Sequence, residues 1–129
     1  MRLFTLSAAG LLCALPVLAH HAFSAEYDRN RVVEVKGVVT RMDWANPHAH
    51  FFLDVKGPDG KMVNWDMELA SPNVLRRNGW QRDSLKVGDE ITVRGFGAKD
   101  GSNTGNAENI LFPDGRRLTF LNNPEDQAR

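Results

Sequence analysis

The four histidines of this chain fall into two clusters, His20-His21 and His48-x-His50, and imidazole is both the commonest protein ligand for transition metals and a proton carrier near neutral pH. The first cluster gains its chemistry from processing. Arg2 gives a positive start, Leu3 to Leu15 an apolar run, and Val17-x-Ala19 a small-residue cleavage site, which together read as an export leader over residues 1–19. Cleavage after Ala19 makes His20 the first residue, so a free α-amino group and an imidazole sit on one residue as a chelating pair. Nitrogen ligands of this kind suit copper(II) or nickel(II), with copper the expected cofactor.

The second cluster lies on an expected strand. Residues two apart on a strand share a face, which puts the Cα atoms of His48 and His50 roughly 7 Å apart. With His20 they form a three-residue set similar to a histidine brace, and His21 can substitute for one of them. Asp43, Asp54, Asp66 and Glu68 are carboxylates able to complete an inner or outer shell, and Tyr27 is placed to lie axial. The plainer reading has His48 bonding the Asn46-Pro47 turn and His50 stacked on Phe52 or Trp44. Asp66 and Glu68, on one strand face, are then expected to be solvated carboxylates rather than an acid/base pair.

Other chemistries find less support. The 129-residue chain has 16 basic and 16 acidic side chains, and this neutral balance argues against nucleic-acid binding, which needs clustered cationic charge. The basic pairs Arg76-Arg77 and Arg116-Arg117 read as a solvated helix face and a hairpin tip. The single cysteine, Cys13, falls in the leader. Leu12 stands before it, where a lipidation site wants a small residue, so lipidation is disfavoured though not excluded. Without Cys13 the mature chain has no thiol for disulfides, catalysis or thiolate ligation. Ser71, Ser84 and Ser102 lack a nucleophile-elbow context, and Gly95-x-Gly97 lacks a phosphate-binding one. The protein is expected to be non-enzymatic and to reside in the periplasm or outside the cell.

The elements that must carry the histidines are mostly strands. A polar N-terminal arm over 20–31 leads to a barrel domain over 32–121. Val32 to Trp44 alternates as a long strand with Gly37 at a bend, His48 to Lys56 as a second, and Lys61 to Leu69 as a third after the Gly57-Pro58-Asp59-Gly60 turn. Ser71 caps a short helix opened by Pro72 and closed by Gly79. Glu90 to Gly95 is a fourth strand, Lys99 to Gly105 an exposed loop, and Ala107 to Phe112 with Arg116 to Leu121 a final hairpin. The tail over 122–129 is expected to be disordered. Three antiparallel strands, a helix, then further strands is the order of a mainly β, small OB-fold-like antiparallel barrel, with its one short helix between strands three and four. Of the tryptophans, Trp65 is expected in the core, Trp80 against the helix end, and Trp44 at an exposed site.

Several local patterns together resemble the DUF6152 family of small exported bacterial proteins: His20-His21-Ala22-Phe23 with Glu26-Tyr27-Asp28, Gly37-Val38-Val39, Asn46-Pro47-His48, Ser71-Pro72, Arg77-x-Gly79-Trp80, Gly88-Asp89 and Ala98-Lys99-Asp100-Gly101-Ser102. The resemblance runs over nearly the whole mature chain. It implies an exported OB-like barrel and transfers no activity. The residues themselves favour a metal carrier or accessory factor working with an exported redox or metal-handling protein. The competing expectation is a metal-free adaptor that docks a protein or small ligand around Trp44, Phe52 and Asn46; copper-dependent oxidation ranks below both, because no substrate groove is legible.

Overall fold

The computed structural model describes residues 23–119. His20, His21, Cys13, the expected leader and the expected tail lie outside the described residues. In chain order the elements are β1 (Tyr27–Asp43), β2 (His50–Lys56), β3 (Met62–Glu68), the helix α1 (Pro72–Arg77), β4 (Glu90–Ala98), β5 (Thr104–Leu111) and β6 (Arg117–Thr119). Residues 23–26 make one helical turn ahead of β1.

The sheet order is β3-β2-β1-β4-β5-β6, and an added β3–β5 pairing closes the ring. That closing pair is parallel and joins Asp66, Met67 and Glu68 to Thr104, Gly105 and Asn106, whereas every other pair is antiparallel. With the helix between β3 and β4, this is OB-fold connectivity, as expected.

Closure depends on β1, which serves two neighbours. Its first part pairs with β4 through Val38, and its second pairs with β2 from Gly37 onward. At the change of partner Gly37 faces both Val55 and Ile91, and a β-carbon there would collide with the carbonyl oxygen of Asp54. A glycine is therefore required where the strand bends between sheets.

The alternation expected along β1 and β2 holds. Val39, Phe51 and Leu53 are buried, while Glu34, Lys36, Val38 and Thr40 on the other side of β1 are exposed. These inward side chains join Met67, Leu69, Leu75, Leu85, Ile91, Val93 and Ile110 in one core. Ser71 accepts a hydrogen bond from Val74 N at 3.3 Å, Pro72 opens the helix, and Gly79 follows its end with φ of 86°. The helix thereby buries Leu75 against the barrel, with Trp80 just beyond it, as expected. Trp65 is only partly buried at the core's margin.

Several boundaries differ from expectation. β2 opens at His50 and leaves His48 outside it, and β4 runs past Gly95 to Ala98. β1 begins at Tyr27 instead of Val32, so residues 27–31 of the expected arm are strand. Asp28-Arg29-Asn30 carry no apolar signal, yet a strand's hydrogen bonds come from backbone and Tyr27 still pairs with Ala98 across an irregular stretch. The expected loop over 99–105 likewise ends early. Thr104 and Gly105 belong to β5, and Gly105 is buried because the methyl and sulfur of Met67 fill the space a side chain there would need.

Replacing Gly37 with alanine should force β1 away from β2. The expected cost is roughly 1–3 kcal/mol, the range for overpacked sites, read as a lower urea midpoint with an unchanged slope. An unaltered midpoint would show that the bend tolerates a side chain.

Candidate functional site

β2 and β3 lie antiparallel, with His50 opposite Glu68 and Phe52 opposite Asp66. This register brings the His-x-His segment at the start of β2 against Asp-x-Glu at the end of β3. His48 stands in the connection just before β2, where Ala49 is wholly buried and trades backbone hydrogen bonds with Leu69 and Ala70. That anchored alanine leaves the histidines on either side to point the other way.

Each imidazole meets a carboxylate. His48 Nδ1 lies 2.9 Å from Glu68 Oε1, and His50 Nδ1 donates to Asp66 Oδ1 at 2.7 Å. Glu68 is also held from behind: the Tyr27 hydroxyl donates to its Oε2 at 2.7 Å. The two pairs differ in setting, since the Glu68 side chain is 12% exposed and that of Asp66 35%. With both Nδ1 atoms engaged, each ring presents Nε2 on its opposite edge. Carboxylate-bound histidines in this tautomer are the usual form of metal-ligating imidazole.

The electrostatics follow from these contacts. The hydrogen bond to Glu68 raises the His48 pKa above its ordinary 6.5, against burial and the neighbouring His50. The bond to Asp66 does the same for His50, assisted by the charges of Asp66, Glu68 and Asp43. Burial pushes the Glu68 carboxyl up, but the hydrogen bonds from His48 and Tyr27 outweigh it and hold the group below the usual range. Burial, then the bond to Glu68, drives the Tyr27 phenol far above its ordinary value, so it stays protonated as a donor.

The remaining candidates separate from this cluster. Asp54 accepts from Asn64, whereas Asp43, ion-paired with Arg41, stands opposite His50 in the β1–β2 register and acts on it through its charge. Tyr27 was expected as an axial ligand, but its hydroxyl is spent on Glu68. Glu68 was expected to be solvated, but it is buried because the register places it between two donors. His48 bonds Glu68 and not the Asn46-Pro47 turn, whereas His50 does stack on Phe52, ring centroids 6.5 Å apart. Arg41 covers the Phe52 ring at 3.7 Å and Arg76 lies over Trp44 at 5.7 Å, so cations of the chain already cover both aromatic faces; Asn46 is exposed beside them. His20 and His21 fall outside the described residues, and among those described no group of three His, Cys, Asp or Glu side chains could hold a metal ion.

The residues that sequence reasoning missed lie on the arm. Phe23 packs on Tyr27 at 5.5 Å and edge-on to Phe96 at 5.9 Å, with Arg29 over its ring. Lys99 ties the same segment to the end of β4, donating through its backbone to Glu26 O and through Nζ to Ser24 O. Aromatic residues at 23, 27 and 96 were the available signal, but only pairing of β1 with β4 brings them together.

The histidine pairs stabilise the fold within a definite pH window. Their folded-state pKa values lie above the unfolded 6.5, so the contribution is complete below that value and is lost as pH rises through the raised values. Glu68 acts oppositely, its contribution fading as pH falls through its lowered value. The metal-free protein should therefore lose more melting temperature between pH 6 and 9 than a His48→Ala/His50→Ala variant. Parallel curves for the two would remove the pairs from the stability balance.

No helix among the described residues is long and apolar enough to cross a membrane. No curated protein matches the chain. The model of a family of unknown function, DUF6152, matches residues 9–107, well over half of the sequence, and the chain belongs to that family.

Proposed function

We propose that this protein is an exported, non-enzymatic metal carrier or accessory factor that binds copper(II) through His48, His50 and the processed N-terminal His20. The observation that carries the reading is the pair of carboxylate-bound imidazoles, each with Nδ1 engaged and Nε2 on the opposite edge of the ring. Two imidazoles alone make a weak site. A third ligand has to come from beyond the described residues, and a chelating N-terminal histidine is the donor the sequence offers.

Chain geometry supports that source. Phe23 is packed against Tyr27, whose hydroxyl reaches the carboxylate that holds His48. Residue 20 lies three residues upstream, and three residues span at most about 10 Å. The site also occupies the β2–β3 face and the β1–β2 connection, where OB-folds commonly take ligands, an argument by fold analogy. His21 serves as a substitute ligand. Export places the protein in the periplasm or outside the cell, in contact with a redox or metal-handling partner.

The test is copper(II) titration of protein processed to begin at His20, against a competing chelator and followed by electron paramagnetic resonance. The expected result is one tight equivalent with a nitrogen-rich signal. Replacing both His48 and His50 with alanine should abolish it, and an extra residue before His20 should weaken it by an order of magnitude or more. Tight binding that survives both changes would refute the site. A mass measurement on exported protein checks the first step, since cleavage elsewhere than after Ala19 removes the chelating amine from His20.

A further inference from the structure

Tyr27 links Phe23 to the carboxylate that holds His48, and its chemistry there is not that of a ligand. Its ring is 4% exposed, with Phe23 of the arm packed against it. Its hydroxyl donates to Glu68 Oε2 while the other oxygen of the same carboxylate meets His48 Nδ1. Glu68 is thereby bonded at both oxygens, leaving its side chain one orientation. His50 lacks comparable support, because Asp66 is more exposed and, among the described residues, no second side chain is shown bonded to it.

Building on the copper site argued above, we propose that Tyr27 is a positioning residue: by locking Glu68 it fixes His48 in the tautomer with Nδ1 protonated and Nε2 bare. A neutral imidazole in water exchanges between two tautomers, and only one of them offers the outward nitrogen as a lone pair. A carboxylate able to rotate would select between them weakly. The phenol removes that freedom, and it remains a donor because burial keeps it protonated.

The consequence is a division of labour between the two histidines. His48 is prepared before any ligand arrives, and His50 can turn to adapt. Loss of an outer partner of a metal-binding histidine typically costs 10–100-fold in affinity, so removing the phenolic hydroxyl should weaken copper binding by about that factor although Tyr27 touches no metal.

Tyr27→Phe is the direct test, because phenylalanine keeps the ring packed against Phe23 and deletes only the donor. Imidazole nitrogen spectra of the metal-free protein, above the histidine titration range, should show His48 as a single tautomer in the parent. In Tyr27→Phe they should show a tautomer average, with His50 unchanged. Identical His48 spectra in the two proteins would overturn the inference, whatever copper does. The copper titration is then run on both. Tight binding by the parent that drops 10-fold or more in Tyr27→Phe supports the positioning role, and equal affinities contradict it. A parent that fails to bind copper would refute the metal reading alone, leaving the tautomer result to decide what Tyr27 does. Should Tyr27→Phe fold poorly, Glu68→Gln breaks the same chain one residue later and should release the His48 tautomer likewise.

Discussion

A seventeen-residue strand that must hydrogen-bond two different neighbours in succession organises this protein. β1 can pass from β4 to β2 only by bending, and the bend brings its backbone against the Asp54 carbonyl at Gly37, where no side chain fits. Ring closure follows from it. Once β1 has turned, β3 at one end of the order meets β5, one strand short of the other end, in parallel, and exposed sheet edges shrink to short segments. The same strand delivers function, since its first residue is Tyr27, carried by pairing with Ala98 to within bonding distance of Glu68 on β3.

Glu68 shows what closure costs and how the cost is met. A carboxylate taken out of water is strongly unfavourable unless it is paired and hydrogen-bonded. Here one oxygen accepts a hydrogen bond from the phenol and the other faces an imidazole. Removing either partner leaves a buried charge half satisfied, so the three groups rise and fall together. An arrangement of this kind adds little net stability over an apolar replacement. What it supplies is orientation, which favours reading the triad as preparation of a site and not as a structural fastening.

Much of the fold was legible because strand alternation, glycine turns and helix caps are local signals. Val33, Val35 and Val39 marked one face of β1, and Ser71-Pro72 with Gly79 marked the helix ends. The start of β1 was not legible, because Asp28 to Asn30 are polar and lie in the irregular stretch between the paired residues Tyr27 and Val32. Nor was the inward side of the 104–106 segment, whose burial depends on a parallel contact with a strand some forty residues earlier. The site was half visible. Two histidines on one strand face could be read directly, but their partners depended on the register of the β2–β3 hairpin, where a slip of one residue turns Asp66 and Glu68 to the other face. The five residues from Gly57 to Lys61, closed by Gly57 N bonding Lys61 O, decide that register.

The contrast between the histidines bears on what kind of metal site this fold can make. A centre built for redox chemistry holds its ligands rigidly through packed and bonded outer partners. A site that must pass its ion on needs one ligand able to let go. His48, backed by a buried carboxylate and a phenol, meets the first requirement. His50, stacked on a half-buried Phe52 beneath Arg41 and bonded to a carboxylate about one-third exposed, meets the second. In the copper site proposed above, one firm ligand, one yielding ligand and the amine of a processed His20 would make a site that can be filled and emptied. That pattern accords with a carrier more closely than with an oxidase, because no described residue holds the second imidazole as Tyr27 and Glu68 together hold the first.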